Sequence, residues 1–139
     1  MNWTRYCIAA LVVLFAVFPV HASELEHDEI LIIDEGTVFK GDLAFVDGSD
    51  DQPKKSDFKI ENYFLMSSRS GERWATITLK NSAKGQRILS EAQVMAVFAN
   101  GEKRAPNSMK HTFAEDEVAT LAVTFGKSKF PVLYVYTRN

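Results

Sequence analysis

The sequence predicts an all-β, antiparallel sandwich of about seven or eight short strands. Three observations predict it. Apolar and polar side chains alternate with a period of two in several runs, the signature of half-buried strands. No long stretch carries apolar residues at helical spacing. Clusters of Gly, Asn, Ser and Pro separate the runs at short intervals, as hairpin connections do.

The chain opens on an address rather than a strand. Arg5 supplies a positive charge, residues 8–20 are apolar, and Val20-His21-Ala22 is a small-residue cleavage pattern. Together these are the parts of a secretory signal peptide over residues 1–22. The apolar run is shorter than the roughly 20 residues that a spanning helix needs, so no stable membrane anchor is expected after cleavage. Cleavage after Ala22 leaves residues 23–139, which is 117 of 139 residues and suits one domain. The only cysteine, Cys7, leaves with the signal. The exported chain then has no disulfide, thiol nucleophile or sulfur ligand for a metal, and a periplasmic or secreted location is expected.

Charge divides the exported chain. Residues 23–57 hold eleven acidic and three basic side chains, a balance of −8, whereas residues 58–139 hold seven acidic and twelve basic, a balance of +5. An acidic segment laid across a more basic remainder would neutralise part of its field. Within this acidic portion, "ILII" and "DLAFV" read as short strands, Gly36 and Gly41 as turns, and "DGSDDQPKKS" as an exposed loop.

Beyond it the strands are clearer. "FKIENYFLM" sets Phe58, Ile60, Phe64 and Met66 on one side, and "RWATITLKN" sets Ala75, Ile77 and Leu79 opposite Thr76, Thr78 and Lys80. The polar connection between them, residues 67–73, makes the two a hairpin. "RIL" is a short strand after the "SAKGQ" loop. "VMAVFA" is apolar on both faces and reads as a central, covered strand, although Ser90-Glu91 before it has the look of a helix start. Asn100-Gly101 then suits a type I′ turn. "ATLAVTF" and "VLYVYT" are β-branched and aromatic strands joined by "GKSKFP".

The run "WATITLKNSAKGQRILSEAQVMAVFANGEKRAP" with "FAEDEVATLAVTF" resembles the strand, loop, hairpin and acidic-turn rhythm of exported bacterial immunoglobulin-like domains. The resemblance spans roughly the last two-thirds of the exported chain. It implies an immunoglobulin-like two-sheet sandwich and an adhesive, accessory or protein-binding role, and it carries no catalytic residue across. The paired cysteines of antibody domains are missing around Trp74.

Chemistry is sparsely provided. After cleavage only His27 and His111 remain as histidines, and no activated-serine, zinc-helix or phosphate-loop motif occurs. A non-enzymatic protein without cofactor is therefore expected. Asp47, Ser49 and Asp51 alternate as oxygen ligands do in calcium loops, but the position of the bidentate glutamate falls on Phe58, and turn chemistry accounts for Asp47-Gly48. The acidic overall charge and the absence of a recognition motif argue against nucleic acid. Phe64, Phe98, Phe113, Phe125, Tyr134 and Tyr136 fall in strands, where core packing is the default expectation, with an aromatic ligand groove as the alternative.

Two connections are candidates for protein contact. Arg69, Glu72 and Arg73 lie at the first hairpin, and Lys103 and Arg104 follow the Asn-Gly turn. Arginine is enriched at interfaces, while charged loop tips also serve solubility. The expected function is an exported envelope module that binds or assembles with another protein, one version being a hydrolase inhibitor. A small-ligand or carbohydrate-binding protein is the alternative, and the apolar "VMAVFA" leaves oligomerisation open.

Overall fold

Period-two alternation becomes antiparallel pairing in the computed structural model, which describes residues 29–35 and 43–139. The signal peptide, Cys7, His27, Gly36 and Gly41 lie outside the described residues. Among the described residues nine strands form three antiparallel sheets: β1 (Ile32–Ile33), β2 (Phe58–Ser67), β3 (Glu72–Asn81), β4 (Arg87–Ser90), β5 (Met95–Phe98), β6 (Lys103–Arg104), β7 (Lys110–Phe113), β8 (Val118–Lys127) and β9 (Val132–Tyr136). The sheets have the orders β1-β2-β3-β8, β4-β7 and β6-β5-β9. The count differs from the expected seven or eight because β6 and β7 are not among the expected strands, whereas the expected "DLAFV" forms no strand over residues 43–46.

The β2–β3 hairpin forms as the alternation predicts, with Ala75, Ile77 and Leu79 fully buried. Strand β2 departs from its own alternation. The register pairs Ile60 with Leu79 but Asn62 with Thr78, so Glu61 is an extra residue in a bulge. A bulge shifts the parity of everything beyond it. Tyr63 and Leu65 therefore turn toward the core, and Phe64, expected beside Phe58, is 53% exposed.

"VMAVFA" is a strand, buried at all four positions of β5 between β6 and β9 within its own chain. The helix start before it amounts to a single 3-10 turn, Glu91–Gln93, where the Ser90 amide donates to Gln93 Oε1 at 2.8 Å. The Asn100-Gly101 turn is not type I′, since of the pair only Gly101 takes a positive φ, of 85°. Phe98 O accepts from the Gly101 amide at 2.9 Å, and the Phe98 amide donates to Glu102 O at 2.9 Å. That is the three-residue hairpin loop closed by a left-handed glycine.

Strands β8 and β9, joined by the "GKSKFP" loop, belong to different sheets. All three sheets contribute to one buried cluster that includes Phe58, Ile77 and Leu79 from the first, Leu89 and Phe113 from the second, and Phe98 and Val132 from the third. Residues 43–57 hold no strand and run against this body. Pro53 is buried, the Lys54 amide donates to Ala92 O, the Ser56 amide donates to Arg138 O, and the Ser49 amide donates to Gly101 O. Asp57 of the acidic portion pairs with Arg87 at 3.2 Å, an exposed pair worth little by itself.

Candidate functional site

The first hairpin tip has the same construction as the Asn-Gly turn. Gly71 donates its amide to Ser68 O at 3.1 Å with φ of 90°, and the Ser68 amide donates to Glu72 O at 3.0 Å. Each loop thus ends in a left-handed Gly followed by Glu, Gly71-Glu72 and Gly101-Glu102, with basic residues next in the chain. The buried Ser68 hydroxyl accepts from the Glu72 amide and bonds Ser70 Oγ, which rigidifies the loop under Arg69. Arg69 itself is exposed at the tip and joins no ion pair among the described residues.

Arg73 and Arg104 are held inward. Arg73 Nε donates to Ser128 O at 3.0 Å and its Nη1 donates to Ser67 Oγ, which in turn donates to Asp34 Oδ2 at 2.7 Å. Arg104 grips Glu102 Oε1 through Nε and Nη2, lies 4.7 Å from the centre of the Phe98 ring, and donates from Nη1 to Phe125 O at 2.7 Å and Lys127 O at 3.3 Å. Two clusters that are far apart in sequence therefore converge on one stretch, residues 125–128. Both arginines tie it down by charge-assisted bonds to its carbonyls. Lys103 is half-buried on the edge strand β6.

Beside the first hairpin, on the side of the four-stranded sheet opposite Ala75 and Ile77, a groove of about 490 Å³ opens between Glu29, Leu31, Ser68, Ser70, Glu72, Trp74 and Lys127. The register places Ile33, Met66, Trp74 and Thr124 on one rung across four strands. Trp74 and Leu31 give the groove an apolar floor, and two carboxylates and one ammonium line its rim. Glu72 also accepts from Thr124 Oγ1 at 3.4 Å. Residues 30–33 are four consecutive aliphatic side chains that are 37–60% exposed, and by strand alternation Leu31 and Ile33 extend the groove face while Ile30 and Ile32 project from the other side. Sequence reasoning missed Trp74, although the alternation that sends Ala75 inward necessarily sends Trp74 outward.

The other candidates are more isolated. His111 packs edge-on against Phe113 with centroids 4.7 Å apart, and its Nε2 is 3.6 Å from Glu117 Oε1. The other oxygen of Glu117 accepts from the Ala114 amide at 2.6 Å, which holds this carboxylate to a turn. The Ser49 hydroxyl donates to Asp51 Oδ2 at 2.7 Å, and among the described residues no three His, Cys, Asp or Glu side chains converge as metal ligands would. Phe98, Phe113 and Phe125 are core residues, whereas Phe64 and Tyr134 are exposed.

Tyr136 is half-buried on β9, where its hydroxyl donates to Gln52 Oε1 at 3.2 Å and its ring centre lies 5.9 Å from that of Tyr134. Burial first, and then the neighbouring Tyr134, raise its pKa above 10.0. A raised pKa in the folded state means that the unfolded chain gives up this proton first. The contribution of Tyr136 is full below the unfolded value and declines as pH rises through the folded one. Urea unfolding of Tyr136→Phe across alkaline pH should show a shallower loss of stability than the parent above about pH 10; identical slopes would remove Tyr136 as the source.

Comparison with protein-family models, with curated proteins and with solved structures returns no match for this chain.

Proposed function

We propose that this chain is an exported, non-enzymatic module of immunoglobulin-like sandwich architecture that binds another protein in the bacterial envelope. The resemblance in strand rhythm and the shared core of the three antiparallel sheets support the architecture. The observation that carries the binding role is the surface at the first hairpin, where the Trp74 groove runs on from Leu31 to the exposed Ile33. Continuous exposed apolar surface with a polar rim is characteristic of contact sites. Arg69, at a rigid tip next to the groove, is the best-placed charged contact; Glu72 borders it, while Arg73 and Arg104 act through the backbone they hold. Lys103 belongs to the second connection.

Site-specific photocrosslinking in envelope preparations tests the reading. A crosslinker at Ser70 should capture a defined protein that one at Lys84 does not, and capture should fall when Arg69 is replaced by Glu. Equal labelling from both positions would overturn it. In one version of this function the Arg69 tip enters the cleft of a wall-degrading hydrolase. Muralytic enzymes, lysozymes included, would then be inhibited by the purified protein, and a panel left fully active would remove that version.

Trp74 supports a second reading. An indole floor bordered by carboxylates and serine hydroxyls is a combination suited to a sugar ring. Ligand-dependent thermal stabilisation that disappears in Trp74→Ala would favour carbohydrate over protein.

A further inference from the structure

The four-stranded sheet ends in β1, a strand of only two residues. Edge strands are ordinarily blunted by being very short, by charged side chains, proline, bulges or a covering element, and among the described residues brevity is the one of these that β1 has. Residues 30–33 are Ile-Leu-Ile-Ile, all exposed, and among the described residues no strand pairs with the far side of β1. The acidic groups stand at the two ends, Glu29 before the run and Asp34 and Glu35 after it.

The ladder shows which backbone groups are presented. Ile32 is opposite Ser67, and the Asp34 amide donates to Leu65 O at 2.9 Å, so Ile32 and Asp34 are the residues bonded to β2. In an antiparallel pair the bonded residues alternate. Ile33, and by the same alternation Leu31, point their N–H and C=O groups away from the sheet. The side chains of these two residues lie on the groove face, with Leu31 in the groove wall and Ile33 on the Trp74 rung.

We propose that β1 receives an extended segment of the partner protein as an added strand, with alternate apolar side chains entering the Trp74 groove and basic residues at both ends of the segment. This rests on the protein-binding reading above and specifies the partner's chemistry. Charge selects the occupant. A second copy of this chain paired about a two-fold axis, with Leu31 opposite Ile33 so that the outward backbone groups of both copies meet, sets Glu29 opposite Glu35. Like charges directly opposite one another disfavour such pairing. A segment with Lys or Arg at each end meets carboxylates at both, and strand addition supplies the backbone bonds that Leu31 and Ile33 leave open.

The test uses the full chain and a short blocked peptide with lysine at both ends and valine alternating with threonine between. Binding is read from the change in tryptophan fluorescence. Replacing the terminal lysines by glutamates should weaken binding about tenfold or more, as should Ile33→Pro, which removes one outward N–H without touching the ladder to β2. Glu29→Lys/Glu35→Lys should reverse the preference toward the glutamate-ended peptide, a readout that a merely destabilised variant would not give. Peptide binding indifferent to end charge, or no binding at all, would overturn the proposal. So would a dimer in sedimentation that dissociates in Ile33→Pro, since the edge would then belong to a second copy. If the Ser70 crosslinker captures a partner equally in parent and Ile33→Pro, strand addition fails while the binding function stands; no capture from Ser70 removes the binding function itself.

Discussion

Phe98→Ala should lower the unfolding free energy by about 3–5 kcal/mol, the range for emptying a fully buried aromatic site. Phe98 has no exposed surface, belongs to the central strand of its sheet, and carries the Arg104 guanidinium over its ring. The substitution therefore leaves a cavity and also withdraws a support from the arginine that binds Phe125 O and Lys127 O. Small domains are stable by only about 5–15 kcal/mol in total, so the variant should be partly unfolded at modest urea concentrations. Phe64→Ala is the matched control. Its ring is on the outside because of the Glu61 bulge, and its loss should cost less than about 1 kcal/mol. Equal losses at the two positions would contradict the bulge.

Asn81→Leu is expected to cost about 2–4 kcal/mol, although it exchanges a polar residue for an apolar one of similar size in a fully buried position. Asn81 Nδ2 donates to Gly85 O at 2.9 Å and to Ala114 O at 2.8 Å, while Oδ1 accepts from the Ala83 amide at 3.0 Å. One side chain thus closes the loop after β3 and fastens it to the acidic turn before β8. Leucine fills the space but leaves two carbonyls and one N–H without partners. Faster hydrogen exchange at the Ala83 amide, together with a lower urea midpoint, would identify the cause. A midpoint within error of the parent would show that water replaces all three bonds at little cost.

The sequence was most legible where local pattern and tertiary demand agree. Strand β3 is the clearest case, because the face that buries Ala75, Ile77 and Leu79 has the period of the backbone itself. Strand β2 was legible only as far as Ile60. Nothing in "KIENY" marks Glu61 as an extra residue, since a bulge is decided by the partner strand. The Asn-Gly turn was legible as a hairpin but not as to type, because loop length chose between two conformations that the same dipeptide serves. The arginines show a different limit. Arg73 and Arg104 read as donors awaiting a partner, and their acceptors are carbonyls of residues 125–128, supplied by a segment distant in sequence. Trp74 was legible in principle, as the outward neighbour of an inward alanine. The exposure of residues 30–33 was not, because an aliphatic run gives no sign of whether the sheet continues beyond it.

The position of β9 sets a timetable for the chain. Val132 and Val135 help to enclose the core, Val132 is paired with Phe98, and Arg138 is fastened to Lys55 and Ser56. Strand β8 must likewise return to β3 across the whole interval from Lys80 to Val118. Contacts between such distant segments form slowly, and a nascent chain that stops short of them has apolar surface without its cover. The fold therefore cannot close before β9 is available to pair. Until then the polypeptide is a client for chaperones, and a truncation that removes β9 should be cleared by proteases rather than accumulate as a smaller folded form.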